Sequence, residues 1–398
     1  MPSPRPDDHT PWQIFLIFLR LGLTSFGGPV AHLGYFRDEF VVRRRWLGEH
    51  SYADLVGLCQ FLPGPASSQV GIALGLSRAG YRGALAAWAG FTLPSALVLI
   101  ALALGIASSA QVIPEGVLHG LKVVAVAVVA QAVWGMGRSL CASSARLALM
   151  AVVTALVLWM PSVWTQVAVI AGAGVVGVWL FKPQQQADPA PLTTGVSRWA
   201  ALCCLGVFLA LLVGLPLLAA LWPDPTLKMV DAFYRSGALV FGGGHVVLPL
   251  LQAEVVSSGW VSKATFLAGY GATQAMPGPL FTFAAFLGAS MPGPLPGWIG
   301  GLLGLVAIFS SSFLLVFGAL PFWAQLRHNL RMQSAMQGVN AAVVGLLLAA
   351  LYQPVWTSAI VQPADVVLAL LALLALMTLK LPAWLVVAGC GLVGWWLS

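Results

Sequence analysis

The chain has 398 residues, of which 59% are hydrophobic and only 8% are charged, with a mean hydropathy of +0.91. So few polar side chains cannot cover a soluble domain of this size, which excludes a water-soluble enzyme or binding module and indicates a polytopic membrane protein. The net charge of +7 comes from Lys and Arg scattered through short loops, so it sets orientation in a bilayer rather than recruiting nucleic acid.

In chain order, a short polar head (1–10), expected to be a cytoplasmic tail, precedes an apolar run over 11–26. That run contains Arg20 and does not read as a cleavable signal peptide. The run ends at Phe26-Gly27-Gly28, and His32, Glu39 and a basic cluster (Arg37, Arg43, Arg44, Arg45) follow. Next come two stretches, 52–62 and 66–77, on either side of Pro63-Gly64-Pro65. At 1.5 Å per residue each reaches about half of a hydrocarbon core of roughly 30 Å, so they predict a re-entrant hairpin. The Phe-Gly-Gly segments predict either a second such pair or a single kinked span. Apolar runs at 83–105, 116–136, 147–160 and 163–181 complete the first half. A Pro- and Gln-rich linker (182–198) and one extra run (199–221) follow. The second half carries runs at 298–320, 335–351, 366–377 and 382–397.

The second half repeats the first at an offset of about 215 residues: Arg20…Phe26-Gly27-Gly28 returns as Arg235…Phe241-Gly242-Gly243, and Gln60…Pro63-Gly64-Pro65 as Gln274…Pro277-Gly278-Pro279. Glu39 falls opposite Glu254, His32 and His245 both follow the glycines, and Lys122 corresponds to Asn340. The expected organisation is a first repeat over 11–181, a linker and connecting transmembrane helix over 182–225, and a second repeat over 226–398. A single connecting span inverts the second copy, and loop charge agrees. In the first copy successive loops hold Arg78 and Arg82, no Lys or Arg (107–115), Arg138 and Arg146, and none (161–162). In the second they hold none (292–296), Arg327 and Arg331, none (353–365), and Lys380. Because short cytoplasmic loops are Lys- and Arg-rich, this antiphase predicts inverted-topology repeats.

Broken helices at equivalent places of two inverted copies point to a midplane binding site. Pro65 and Pro279 suit the first turn of an outgoing half-helix, whose free N–H groups and positive dipole end attract anions. Ser67, Ser68 and Thr282 can add hydroxyl donors, and Gln60 and Gln274 lie one turn before the breaks. Arg20 and Arg235 lie inside apolar runs, where a cation costs at least about 2.5–3.5 kcal/mol and needs a partner. That partner is either Glu39 or Glu254 in a structural pair, or an anionic substrate. Lys122 is a further buried cation. His32 and His245 either couple protons or stay neutral and hydrogen-bonded. The five cysteines show no metal or redox spacing, and no metal or cofactor is expected.

Three stretches carry a resemblance to a known family. They are Phe26-Gly27-Gly28-Pro29-Val-Ala-His32 with Tyr35-Phe36-Arg37-Asp-Glu39-Phe40 and Arg44-Arg45-Trp46-Leu47; then Gln60-x-x-Pro63-Gly64-Pro65-x-x-Ser68-Gln69; and Phe241-Gly242-Gly243-Gly244-His245-Val-Val-Leu-Pro249. The chain resembles the chromate ion transporter family in its long, two-domain form, across nearly its whole length. What the resemblance implies is potential- or proton-driven efflux of chromate across the bacterial inner membrane, conferring chromate resistance, with some relatives linked to sulfate.

The expected architecture is thus an all-α multi-pass membrane protein moving a tetrahedral dianion between two copies. The expected partners are that anion and the lipid bilayer, with a homodimer left open. No Gly-Lys-Ser/Thr triplet is present, which disfavours a primary pump. An intramembrane enzyme needs an acid/base or metal cluster among polar residues that are here mainly cations and amides. An anion channel shares every motif and differs only in kinetics.

Overall fold

The computed structural model describes residues 10–25, 28–108, 115–160, 162–182, 195–240, 247–323 and 329–397, and these are helical with no strand. The first half comprises α1 (Pro11–Thr24), α2 (Gly28–Arg37) continued by a π-turn to Arg43, α3 (Glu49–Phe61), α4 (Ala66–Ser108), α5 (Glu115–Leu140), α6 (Ser144–Trp159) and α7 (Val163–Leu180). Then α8 (Arg198–Leu221) leads into the second half. That half comprises α9 (Pro225–Ala238), α10 (Val247–Val255), α11 (Lys263–Ala275), α12 (Phe283–Ser290), α13 (Gly297–Ala319), α14 (Leu330–Ala350), α15 (Pro363–Met377) and α16 (Ala383–Leu397).

α4 is two helices end to end. At Ala79 (φ −142°) and Gly80 (φ +59°) the backbone leaves the helical region, so α4a (66–78) and α4b (81–108) correspond to α12 and α13. With that division eight of the helices named above lie on either side of α8 among the described residues. Their starts are written in the sequence. Thr10 and Gln13 form a capping box before Pro11, Asp224 caps α9 before Pro225, and Ser262 caps α11.

Among the described residues five stretches are long and apolar enough to cross a membrane: Ala66–Ile106, His119–Arg138, Arg198–Leu221, Gly297–Phe322 and Leu330–Gln353. The remaining apolar helices are shorter. α6, α15 and α16 have 16, 15 and 15 residues, or roughly 22–24 Å, and leave part of the core thickness to flanking residues.

The two halves interlock. α5 packs against α15 and α16, while its counterpart α14 packs against α6 and α7. Glycines allow this closeness: a Cβ on Gly120 would run into the Cys390 carbonyl, and one on Gly338 into the Ala173 carbonyl. Each contact carries a polar clasp one residue earlier. His119 Nε2 lies 2.7 Å from Asp365, and Arg146 donates to Gln337 at 2.5 Å. The four clasp residues sit at matching places in the two halves.

Candidate functional site at the crossed helix breaks

Both Pro-Gly-Pro segments interrupt helices as the sequence predicts. α3 ends at Phe61, Leu62 is extended, and Gly64 takes φ +123° before α4a starts at Ala66. In the second half α11 ends at Ala275, Met276 is extended, and Gly278 takes φ +98°. A non-glycine residue is strained in either conformation.

Each break is tied to the other half. Gly64 N–H donates to the Val240 carbonyl (2.6 Å), just beyond α9, and Gly278 N–H donates to the Ser25 carbonyl (2.9 Å), just beyond α1. Space around both glycines is tight. A Cβ on Gly64 would stand 2.5 Å from Gln69 Nε2 and 3.0 Å from Ser312 Oγ; one on Gly278 would stand 3.0 Å from the Phe91 carbonyl and from Ser95 Oγ. Ser95 on α4b and Ser312 on α13 are equivalent positions, so each break rests on a serine of the opposite half.

Around this crossing the interior is polar and incompletely paired. Ser67, Ser68 and Gln69 on the first turn of α4a are 2%, 3% and 0% exposed. Gln69 Nε2 donates to the Pro63 carbonyl (2.7 Å), which leaves Oε1 without a partner. Ser25 Oγ, Ser68 Oγ, Ser312 Oγ and Gln274 Nε2 are also buried without one. Each such group costs about 1–3 kcal/mol unless something supplies its hydrogen bond. Clustered near the helix breaks, they are a set of hydrogen-bonding groups that a polar ligand could satisfy. His32 (1% exposed) closes one side, with its ring 3.4 Å from Ser67 Oγ, hydrogen-bonded to the Ser25 backbone and edge-on to Phe91.

Other sequence candidates lie elsewhere. Gly27, Gly242, Gly243 and His245 fall outside the described residues, whereas Gly28 opens α2 at φ +79°. Gln60 is exposed. Thr282 Oγ1 donates its proton to the Pro279 carbonyl (2.8 Å), and the chain after Pro279 begins with a 3-10 turn rather than an α-helical one. Lys122 is half-buried on α5, and Asn340 Oδ1 is buried without a partner on α14.

The arginine pairs differ between halves. Arg235 binds Asp231 (2.9 and 3.0 Å) and Glu254 (3.1 Å), which realises the structural pairing in the second half. Arg20 is exposed and does not meet Glu39, whose carboxylate is taken by Arg43 (3.0 Å) and Arg44 (2.6 Å). Residues 258 and 259, which match those two arginines, are Ser and Gly, so Glu254 is left to Arg235.

Sequence reasoning missed Ser25, Ser95, Ser312 and Asp231. A signal existed for the serines: Ser95 and Ser312 are hydroxyls deep in apolar runs at matched offsets. No comparable signal marks Asp231, because its counterpart is Leu16.

The arrangement is a water-poor crossing of broken helices offering backbone N–H groups, hydroxyls and amides. The family profile described as "Chromate transporter" matches residues 12–178 and again 227–395. The chain belongs to the chromate transporter family. It is 28% identical to the chromate transport protein of Pseudomonas aeruginosa over 96% of this chain and 91% of that one. It is 27% identical to the chromate transport protein of Cupriavidus metallidurans, covering 99% and 98%. An uncharacterized transporter of Methanocaldococcus jannaschii is 27% identical over 85% of this chain and 82% of its own. No solved structure matches. With its apolar helices, this member of the chromate transporter family is a multi-pass membrane protein.

Proposed function

We propose that the chain is a secondary transporter that exports chromate from the cytoplasm across the bacterial inner membrane, thereby conferring chromate resistance. The observation that carries this reading is the crossing of the two Pro-Gly-Pro breaks amid buried polar atoms that lack partners. A tetrahedral dianion brings several acceptor oxygens, which suit serine hydroxyls, amide NH₂ groups and a half-helix N-terminus. The relatives named for chromate transport and the twofold match to the family favour chromate over other oxyanions. Sulfate has the same charge and shape and is the competitor to test.

The two copies, 11–181 and 226–398, are read as inverted repeats joined through 182–225, with Arg37–Arg45, Arg78, Arg138, Lys182 and Arg327 cytoplasmic. Unequal packing of corresponding helices favours a transporter over a channel. α11 packs closely on α5 and α16, whereas its counterpart α3 packs on α2 and α4, sets Asp54 and Phe61 against Trp323, and among the described residues makes no comparable contact with α14 or α7. A Cβ on Gly271 of α11 would press on Leu121 of α5; one on the matching Gly57 of α3 would find only Trp323 among the described residues, 3.9 Å away. This inequality supports reading the arrangement as one end state of alternating access, with the α11 side closed and the α3 side looser.

The test is uptake of labelled chromate and labelled sulfate into inverted membrane vesicles under an imposed pH gradient or potential. Chromate accumulation that collapses with the gradient supports export. Flux that follows the chromate gradient alone assigns a channel, and sulfate accumulation without chromate accumulation corrects the substrate.

A further inference from the structure

A cavity of about 510 Å³ opens between α6, α7, α10 and α14, and none of the residues of the crossed breaks lines it. Ser162, Ser257, Lys263 and Gln353 form its exposed rim, and Gln166 and Pro249 lie at its floor. Gln166 is only 5% exposed, its Nε2 makes a long 3.4 Å contact to the Pro249 carbonyl, and its Oε1 is buried without a partner. A buried amide left in this condition at the bottom of a largely apolar funnel with a polar rim calls for a hydrogen-bonding ligand, and either end of the amide can be turned towards it.

The charge of the funnel selects the ligand. Lys263 makes no ion pair among the described residues, and no Asp or Glu is part of the lining. The nearest carboxylate in sequence, Glu254 on α10, is held by Arg235. An uncompensated ammonium at the mouth of a low-dielectric funnel raises the local concentration of anions. The rim contains Ser162 and Gln353, from two of the segments without Lys or Arg, and by the loop-charge reading the funnel lies on the side opposite the cytoplasmic arginines.

We propose that this funnel is a second oxyanion-binding site, in which Lys263 and the amides of Gln166, Gln252 and Gln353 hold a partly hydrated tetrahedral dianion on the side where exported anion leaves. The proposal rests on the transport reading above, and its test separates the two. The full chain is purified into lipid discs of zwitterionic lipid, and labelled chromate binding is measured by equilibrium dialysis.

The wild type should bind two equivalents. Lys263→Gln and Gln166→Leu should each weaken one of them about three- to tenfold, Lys263→Arg should retain it, and Gly278→Leu should remove only the other. A single equivalent, or two that Lys263→Gln leaves unchanged, overturns the funnel site while leaving transport through the crossing intact. Loss of both equivalents in Gly278→Leu alone shows that one site was counted twice, which also overturns it. If the funnel class seen in neutral discs is lost when anionic lipid is added, a lipid headgroup is the occupant and the proposal fails.

Discussion

At the scale of single residues, the two halves spend the same side chains differently. Arg235, Asp231 and Glu254 are 19%, 7% and 12% exposed, so removing the arginine strands two carboxylates in a largely dry environment. Breaking such a pair costs about 3–5 kcal/mol, and Arg235→Gln should sharply lower the yield and melting temperature of detergent-extracted protein. Arg20→Gln removes an exposed charge that makes no ion pair among the described residues and should leave both unchanged. A double-mutant cycle makes the contrast quantitative. Arg235 with Glu254 should show a coupling above about 1 kcal/mol, and Arg20 with Glu39 none within about 0.5 kcal/mol. Coupling between Arg20 and Glu39 would mean that Arg43 and Arg44 do not hold that carboxylate. The breaks invite a sharper change: Gly64→Leu and Gly278→Leu must place a side chain at positive φ against Gln69 and the Phe91 carbonyl. Vesicle uptake should be lost in both while protein remains in the membrane, and full uptake by either variant would detach that glycine from the site.

At the scale of helices, what was legible follows from local rules and what was not depends on partners. Proline and glycine within apolar runs announced the breaks, and the described helices end at Phe61 and Ala275, within a residue or two of the prolines. The interruption at Ala79–Gly80 was equally readable, because 66–108 is too long for one span and Arg78, Gly80 and Arg82 separate its two apolar runs. The choice between a re-entrant pair and a kinked span at the Phe-Gly-Gly segments turns on residues 26–27 and 241–246, outside the described residues. Which helix faces which could not be read at all, since α5 and α14 choose partners across the duplication through glycine close contacts that look like any other small residue in a run. Those contacts give the element-scale prediction. Gly120→Ala and Gly338→Ala put a methyl into the carbonyls of Cys390 and Ala173 and should cost about 1–3 kcal/mol each, read as lower melting temperatures. On the same helix α5, Gly137 has nothing within 4 Å, and Gly137→Ala should be neutral or stabilising by about 0.5–1 kcal/mol. Equal effects at Gly120 and Gly137 would show that the α5–α16 contact is not tight.

At the scale of the whole molecule, duplication supplies the second end state. If the halves are inverted equivalents, the packing that α11 has now is the packing that α3 acquires when the transporter faces the other way. The Cβ that Gly271 would carry lies 3.2 Å from Leu121 Cβ, and the equivalent pair is Gly57 and Val339. In the alternate state Cys at those two positions would come within the roughly 3.5–4.5 Å between Cβ atoms that a disulfide spans. At present Gly57 faces open space near Trp323, so Gly57→Cys adds a thiol without a clash. The double variant Gly57→Cys, Val339→Cys should therefore fold, transport while reduced, and cross-link under mild oxidation only as the protein visits the opposite-facing state. Mass spectrometry of the digested protein identifies the bridge against the five native cysteines, none of which is disulfide-bonded. Bridged protein should lose gradient-driven chromate flux, and reduction should restore it, because a locked α3 holds one gate shut. Chromate should also change the rate of bridging, since a ligand bound at the crossing biases the exchange by its differential affinity for the two states. Full flux through bridged protein, or brisk flux with no bridge ever formed, would mean that α3 does not take the place that α11 holds, and the alternating mechanism would give way to a continuous pore.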